Sequence, residues 1–155
     1  MKKVMWLIIC CLLIMCSTCF AETLAYQGGG KQYFIDETSV YYAGSRTKGN
    51  YETREVHVVC RIYNERLCYS RRGVAKVVAE TNNHADGSRS TWGMFIIPEY
   101  DVLDSEGNVT KHIHDEMGGY FSDSPSNDEE LGFYCMYGES LVVALKQIKT
   151  KMGLS

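Results

Sequence analysis

The stretch "YETREVHVVCRIYNERLCY", residues 51–69, constrains the fold more than any other part of the chain. Val56, Val58, Cys60 and Ile62 alternate with Glu55, His57, Val59 and Arg61. A period of two sends alternate side chains to opposite faces, so this segment predicts a strand with one apolar and one mixed face. Asn64 marks a turn. A hairpin centred there would set Cys60 directly across from Cys68, at a separation a disulfide can span.

Other strands are expected around it. "ETLAYQGGGKQYFID" reads as strand, glycine turn, strand, with Tyr26, Tyr33 and Phe34 as β-favouring side chains. Its glycines supply the positive φ that a tight turn needs. "DETSV" is a short turn, while "GSRTKGN" and "TNNHADGSRS" are polar loops. The segment Gly73–Glu80 fits a strand, although its alanine and glutamate content leaves a helix open. "TWGMFIIPEYDVLDSEGNVTKHI" reads as two strands, with Pro98 interrupting the first and "DSEGN" turning into the second. "GGYFSDSPSNDEE" is an acidic loop.

The period then changes. Ser126 stands three residues before Glu129, the spacing of a capping box, and Asp128 and Glu130 add negative charge at a helix start. "EELGFYCMYGESLVVALKQIKTKMG" is predicted helical, with a kink at Gly138 and an apolar stripe of Leu141, Leu145, Ile148 and Met152, Val142 and Ala144 beside it. Lysines crowd its end, and Gly153 stops it. Strands first and a helix last predict an α+β domain: an antiparallel β-sheet with a C-terminal α-helix packed against it.

The N-terminus carries Lys2 and Lys3, an apolar run over residues 4–15, and small residues at Cys19 and Ala21. This is the pattern of a secretory signal peptide covering residues 1–21, which makes the chain exported: periplasmic, cell-surface or secreted. The run is too short to span a bilayer, so no transmembrane segment is expected after cleavage. A lipid anchor would need an aliphatic residue and two small ones before the modified cysteine. Neither Cys16 nor Cys19 fits that pattern well.

Removing 21 of the 155 residues leaves 134, a single exported domain over residues 22–155 with room for a real core. Lys2 and Lys3 leave too, so 14 basic side chains face 19 acidic ones, a net charge of −5. That balance argues against nucleic acid or an anionic membrane as partner. Of the seven cysteines only Cys60, Cys68 and Cys135 remain. In an oxidising compartment one pair among the three is expected to form a disulfide, with three pairings open.

Chemistry is sparse. In "KHIHDE", residues 111–116, His112 and His114 would point to one face of a strand, where two imidazoles can share a metal. A zinc site needs at least three protein ligands, and nothing local plainly supplies the third; His57 and His84 lie far off in sequence. The expectation is therefore an ordinary exposed strand and no cofactor. Cys135 lies well past the helix start in an apolar stretch, which suits a structural thiol better than a nucleophile. GxSxG, P-loop and dinucleotide fingerprints are absent from the sequence, and "GGGKQ" has no helix after it to present amides to a phosphate. No catalytic residue is assigned. The tyrosines at positions 26, 33, 41, 42, 51, 63 and 69 suit core or sheet surface, and a tyrosine-rich face also suits partner binding.

"QYFIDETSVYYAG" followed by "REVHVVCRIYN" resembles the surface-adhesin protein E family of small exported bacterial proteins. The similarity covers residues 33–64 and the order of elements. It implies a short antiparallel sheet, a C-terminal helix lying on it, and a disulfide tethering the two, for which Cys135 with Cys60 or Cys68 would serve. It also implies a non-enzymatic surface protein that binds a host matrix or envelope protein. The chain departs from the family in lacking a clear lipobox and in its longer middle, residues 81–116.

The function expected is thus a non-enzymatic exported interaction domain, adhesin-like. Two alternatives stand beside it. One is a periplasmic inhibitor or chaperone-like module using "HADGSRSTW" or "SDSPSNDEE" as a protruding loop. The other is a metal-binding protein using His112 and His114.

Overall fold

A computed structural model describes residues 21–153, and the predicted signal peptide, with Cys16 and Cys19, lies outside them apart from Ala21. Nine strands form one antiparallel sheet: β1 (Glu22–Gly28), β2 (Lys31–Asp36), β3 (Tyr41–Lys48), β4 (Tyr51–Asn64), β5 (Tyr69–Asn83), β6 (Arg89–Ile97), β7 (Tyr100–Leu103), β8 (Val109–Ile113) and β9 (Met117–Ser122). Among the described residues one α-helix, α1 (Asp128–Lys151), follows the strands and packs on one face. The domain is α+β, as the change of period from two to 3.6 predicts.

The long alternating segment is the middle of the sheet. β4 and β5 pair over fourteen residues, from Tyr51 opposite Asn82 to Asn64 opposite Tyr69. Val56, Val58, Cys60 and Ile62 face the helix, with Ala75, Val77 and Ala79 beside them. Gly73–Glu80 is strand, because its alternate residues complete this buried face. The hairpin turn falls later than the position of Asn64 alone suggests: Asn64 caps it by accepting from the Leu67 amide at 2.9 Å. Cys60 consequently pairs with Gly73, and Cys68 sits in the turn at φ 52. Four residues of extended chain, roughly 13 Å, separate Cys60 from the turn, so a Cys60–Cys68 disulfide does not fit this register.

Around this hairpin the shorter strands run end to end. β2 and β3 share one edge of β4, and β7 and β6 share one edge of β5. β8 and β9 follow in the next row, against β7 and β6. The interruptions line up across the sheet. Residues 37–39 form a 3₁₀ turn beside Val58 and Val59 of β4, which pair with Ala75 and Val74 of β5. Residues 98–99 break the next row and residues 114–116 the outermost one. Ser39 compensates one lost ladder bond, its Oγ accepting from the Val59 amide at 2.8 Å. At Pro98 the cause is local, since proline has no N–H to give a ladder.

Three segments expected as loops are strands in part. "GSRTK" continues β3, an edge strand whose polar side chains and bulge near Gly44 suit an edge that must not aggregate. "TNN" extends β5, leaving residues 84–88 as a tight turn. "GGYFS" is most of β9. Its glycines weaken the strand signal, yet a Cβ at Gly118 would collide with the Phe95 carbonyl, and one at Gly119 would meet the Phe133 ring at 2.8 Å. They allow close packing that no propensity scale records.

The helix begins one residue later than predicted. Asn127 is the cap, accepting from the Glu130 amide at 2.9 Å, and the Glu130 carboxylate accepts from the Ser126 amide at 2.8 Å. No break occurs at Gly138. The buried stripe is Phe133, Met136, Tyr137, Ser140 and Ala144, with Leu141 and Val143 partly covered, whereas Val142, Leu145 and Met152 are exposed. The aromatic half of the helix docks because it meets rings on the sheet: Phe133 stacks on Phe95 at 5.1 Å and stands edge-on to Tyr33 at 6.0 Å, and Phe121 stacks on Tyr137 at 5.3 Å. Among the described residues no helix is long and apolar enough to cross a membrane.

Candidate functional site

The helix covers one sheet face only. On the other, the registers align a straight cross-strand row: Leu24, Phe34, Arg61, Arg72, Asp101 and His112. Phe34 lies 4.1 Å beneath the Arg61 guanidinium. Arg61 donates to the Glu22 carboxylate and to Ser70 Oγ at 3.2 Å. Arg72 approaches Asp101 at 4.0 Å. A groove of about 510 Å³ lies over the Phe34, Arg61 and Arg72 part of this row, with Tyr63, Leu103 and Asp104 among its walls.

At the outer end of the row the histidines find company. His112 occupies edge strand β8, and His114 follows just after it, at the break before β9. Their rings stand 4.5 Å apart, edge to face. The facing break, Pro98 and Glu99, throws the Glu99 carboxylate toward both: 3.7 Å from His112 Nε2 and 3.3 Å from His114 Nδ1. A break in a strand commonly re-aims a side chain in this way. His112 Nδ1 pairs with Asp101 Oδ1 at 2.7 Å. That hydrogen bond raises the His112 pKa above its ordinary 6.5, with smaller contributions from the charges of Asp101 and Glu99. Sequence spacing identifies the two imidazoles but not Glu99, which lies thirteen and fifteen residues upstream and reaches them only because β7 pairs with β8. Asp115 and Glu116, the neighbours in sequence, are not part of this group.

The same face gathers the exposed aromatic side chains of the sheet. Tyr51 of β4, Trp92 and Met94 of β6, and Tyr120 of β9 all point away from the helix, as their pairing with Asn82, Glu80, Val78 and Met94 requires. Tyr120 is 74% exposed and Trp92 42%. Tyr51 and Trp92 contact edge-on at 6.2 Å. Tyr41 and Val74 add to the face nearer its middle. Tyr33, by contrast, is core, so the sequence's tyrosines divide between the two faces.

Cys60, Cys68 and Cys135 each carry a free thiol: buried on β4, exposed in the β4–β5 turn and half-buried on α1. Burial and the Glu139 charge both raise the Cys135 pKa, the opposite of what a nucleophile needs. His57 pairs with Glu55 at 2.8 Å, and His84 with Ser90 at 2.9 Å, both away from His112. Residues 84–88 are closed by the His84 amide on Ser88 at 2.9 Å, and "SDSPSNDEE" is shared between β9, a short link and the helix cap. Neither segment projects as a long loop. No family model matches the chain, and comparison with curated proteins and with solved structures likewise finds no match.

Proposed function

We propose that this chain is a non-enzymatic, exported interaction domain that takes a protein partner on the helix-free face of its sheet. The observation that carries the reading is the segregation of Tyr51, Trp92, Met94 and Tyr120 onto one open face. Scattered exposed aromatics need no explanation, but aromatics collected on a single rigid surface are the composition of an interface. Tyrosine and tryptophan bring large contact area at little entropic cost, since each has two rotatable side-chain bonds. The resemblance to the surface-adhesin protein E family points the same way, toward a host matrix or envelope protein as ligand.

The test is surface plasmon resonance against a panel of extracellular-matrix and envelope proteins, using the wild type and the variants W92A and Y120A. Both side chains stand outside the core, so the variants should melt within a few degrees of the wild type. Truncating a central aromatic anchor typically costs ~2 kcal/mol or more, a loss of about 30-fold in affinity. Wild-type binding that survives both substitutions unchanged would sink the proposal, as would a wild type that binds nothing on the panel.

A further inference from the structure

We propose that Glu99, His112 and His114 form a surface site for a divalent transition metal, zinc in the first instance. This proposal is independent of the partner-binding reading. A ligand atom from each of the three side chains lies within 4.8 Å of the other two. Tetrahedral zinc, with bonds of about 2.1 Å, separates its ligand atoms by roughly 3.4 Å. Glu99 Oε2 is already 3.7 Å from His112 Nε2 and 3.3 Å from His114 Nδ1, so small rotations of exposed side chains bring it to that spacing.

A second feature points to a metal. His112 turns its Nδ1 to Asp101 at 2.7 Å, which leaves Nε2 on the side of Glu99, 3.7 Å away. Metal-bound imidazoles usually have their other nitrogen held by a carboxylate in this manner, fixing the tautomer and raising ligand basicity. Asp101 is itself steadied by Arg72 across β5 and β7. The ladder thus provides ligand, orienting carboxylate and its support in one straight row, with Glu99 and His114 arriving from the two facing strand breaks.

Two imidazoles and one carboxylate select zinc, copper or nickel over calcium and magnesium, which prefer all-oxygen shells. All three ligands are exposed, His114 at 78%, so they must be ordered on binding and the fourth coordination position faces solvent. The site therefore has room for one outside ligand.

The experiment is isothermal titration of the reduced wild-type protein with zinc chloride, with magnesium chloride as control, followed by dialysis and elemental analysis. One zinc equivalent is expected, with no heat from magnesium. H112A and H114A should each weaken zinc at least 10-fold. D101N, which removes only the orienting carboxylate, should weaken it ~10–100-fold while leaving the metal-free melting temperature unchanged. H84A should bind as the wild type does. Circular dichroism of the metal-free variants establishes that each is folded. An H112A/H114A double variant that takes up zinc like the wild type would overturn the proposal. So would zinc loss in C68S, which would put the metal on the turn thiol, or a wild type that takes up none.

Discussion

At the scale of single residues, Cys60 and Cys68 share a chemistry and differ wholly in environment. Cys60 is buried under the helix, and desolvation of its thiolate pushes the thiol pKa from 9.0 up to about 12. Because the folded value lies above the unfolded one, Cys60 contributes stability that is complete below pH 9 and drains away as pH rises toward 12. Cys68 is exposed in its turn. Iodoacetamide at mildly alkaline pH should therefore label Cys68 in the native protein and reach Cys60 only after denaturant is added, as read by peptide mass spectrometry. Equal labelling rates would show that β4 is not buried as described. The sequence marks both thiols but not this difference, because burial depends on which neighbour lies across the strand. Here the neighbour of Cys60 is Gly73.

At the scale of elements, two glycines on α1 make opposite predictions. Gly132 lies over Tyr33, and a Cβ there would meet the ring at 2.6 Å. Gly138 is in the same helix with nothing within 4 Å. Replacing a helical glycine by alanine gains ~1 kcal/mol from backbone entropy when space allows. Crowding a packed ring costs typically ~1–3 kcal/mol. G138A should accordingly raise the melting temperature by about 4 °C, and G132A should lower it, since displacing a fully buried tyrosine outweighs the entropic gain. Calorimetry of the two variants checks the helix register directly; a rise in both would mean the helix is rotated. Sequence periodicity identifies the helix but favours the aliphatic stripe at Leu141, Leu145 and Met152 over the aromatic one at Phe133, Met136 and Tyr137. Apolar spacing alone could not choose, because both stripes recur at helical intervals. Rings on β2, β6 and β9 chose the second.

For the whole molecule, the asymmetry of the sheet matters most. One face is closed by α1 and the other is left to water, aromatic side chains and the histidine cluster. Tyr33, Ile35, Val56, Val77, Phe95 and Phe121 are each no more than 2% exposed, and they owe this to the helix and to one another. Ending the chain at residue 127 would strip that cover from a nine-stranded sheet. The truncated protein should bind a hydrophobic dye such as ANS strongly and lose its cooperative thermal transition. A cooperative melt in the truncated protein would mean the sheet holds its core without the helix. The Lys31–Glu129 ion pair at 2.9 Å and the Tyr26 hydroxyl on Asp128 at 2.5 Å pin the helix start to the β1–β2 hairpin. Both are exposed, so they set position more than they stabilise.

By itself the sequence determined the α+β class, the central strand, the β1–β2 turn, the terminal helix and the close spacing of two imidazoles. Those properties follow from side-chain periodicity and turn chemistry, which act over a few neighbouring residues. Only the tertiary structure decided that Cys60 faces Gly73, that "GSRTK" and "GGYFS" pair as strands, and that the aromatic half of the helix is the buried half. It alone decided, too, that the strand breaks align, bringing Glu99 to His112 and His114, and that Tyr51, Trp92, Met94 and Tyr120 share a face. Register couples residues tens of positions apart, and nothing within either partner's own neighbourhood encodes which one it will meet.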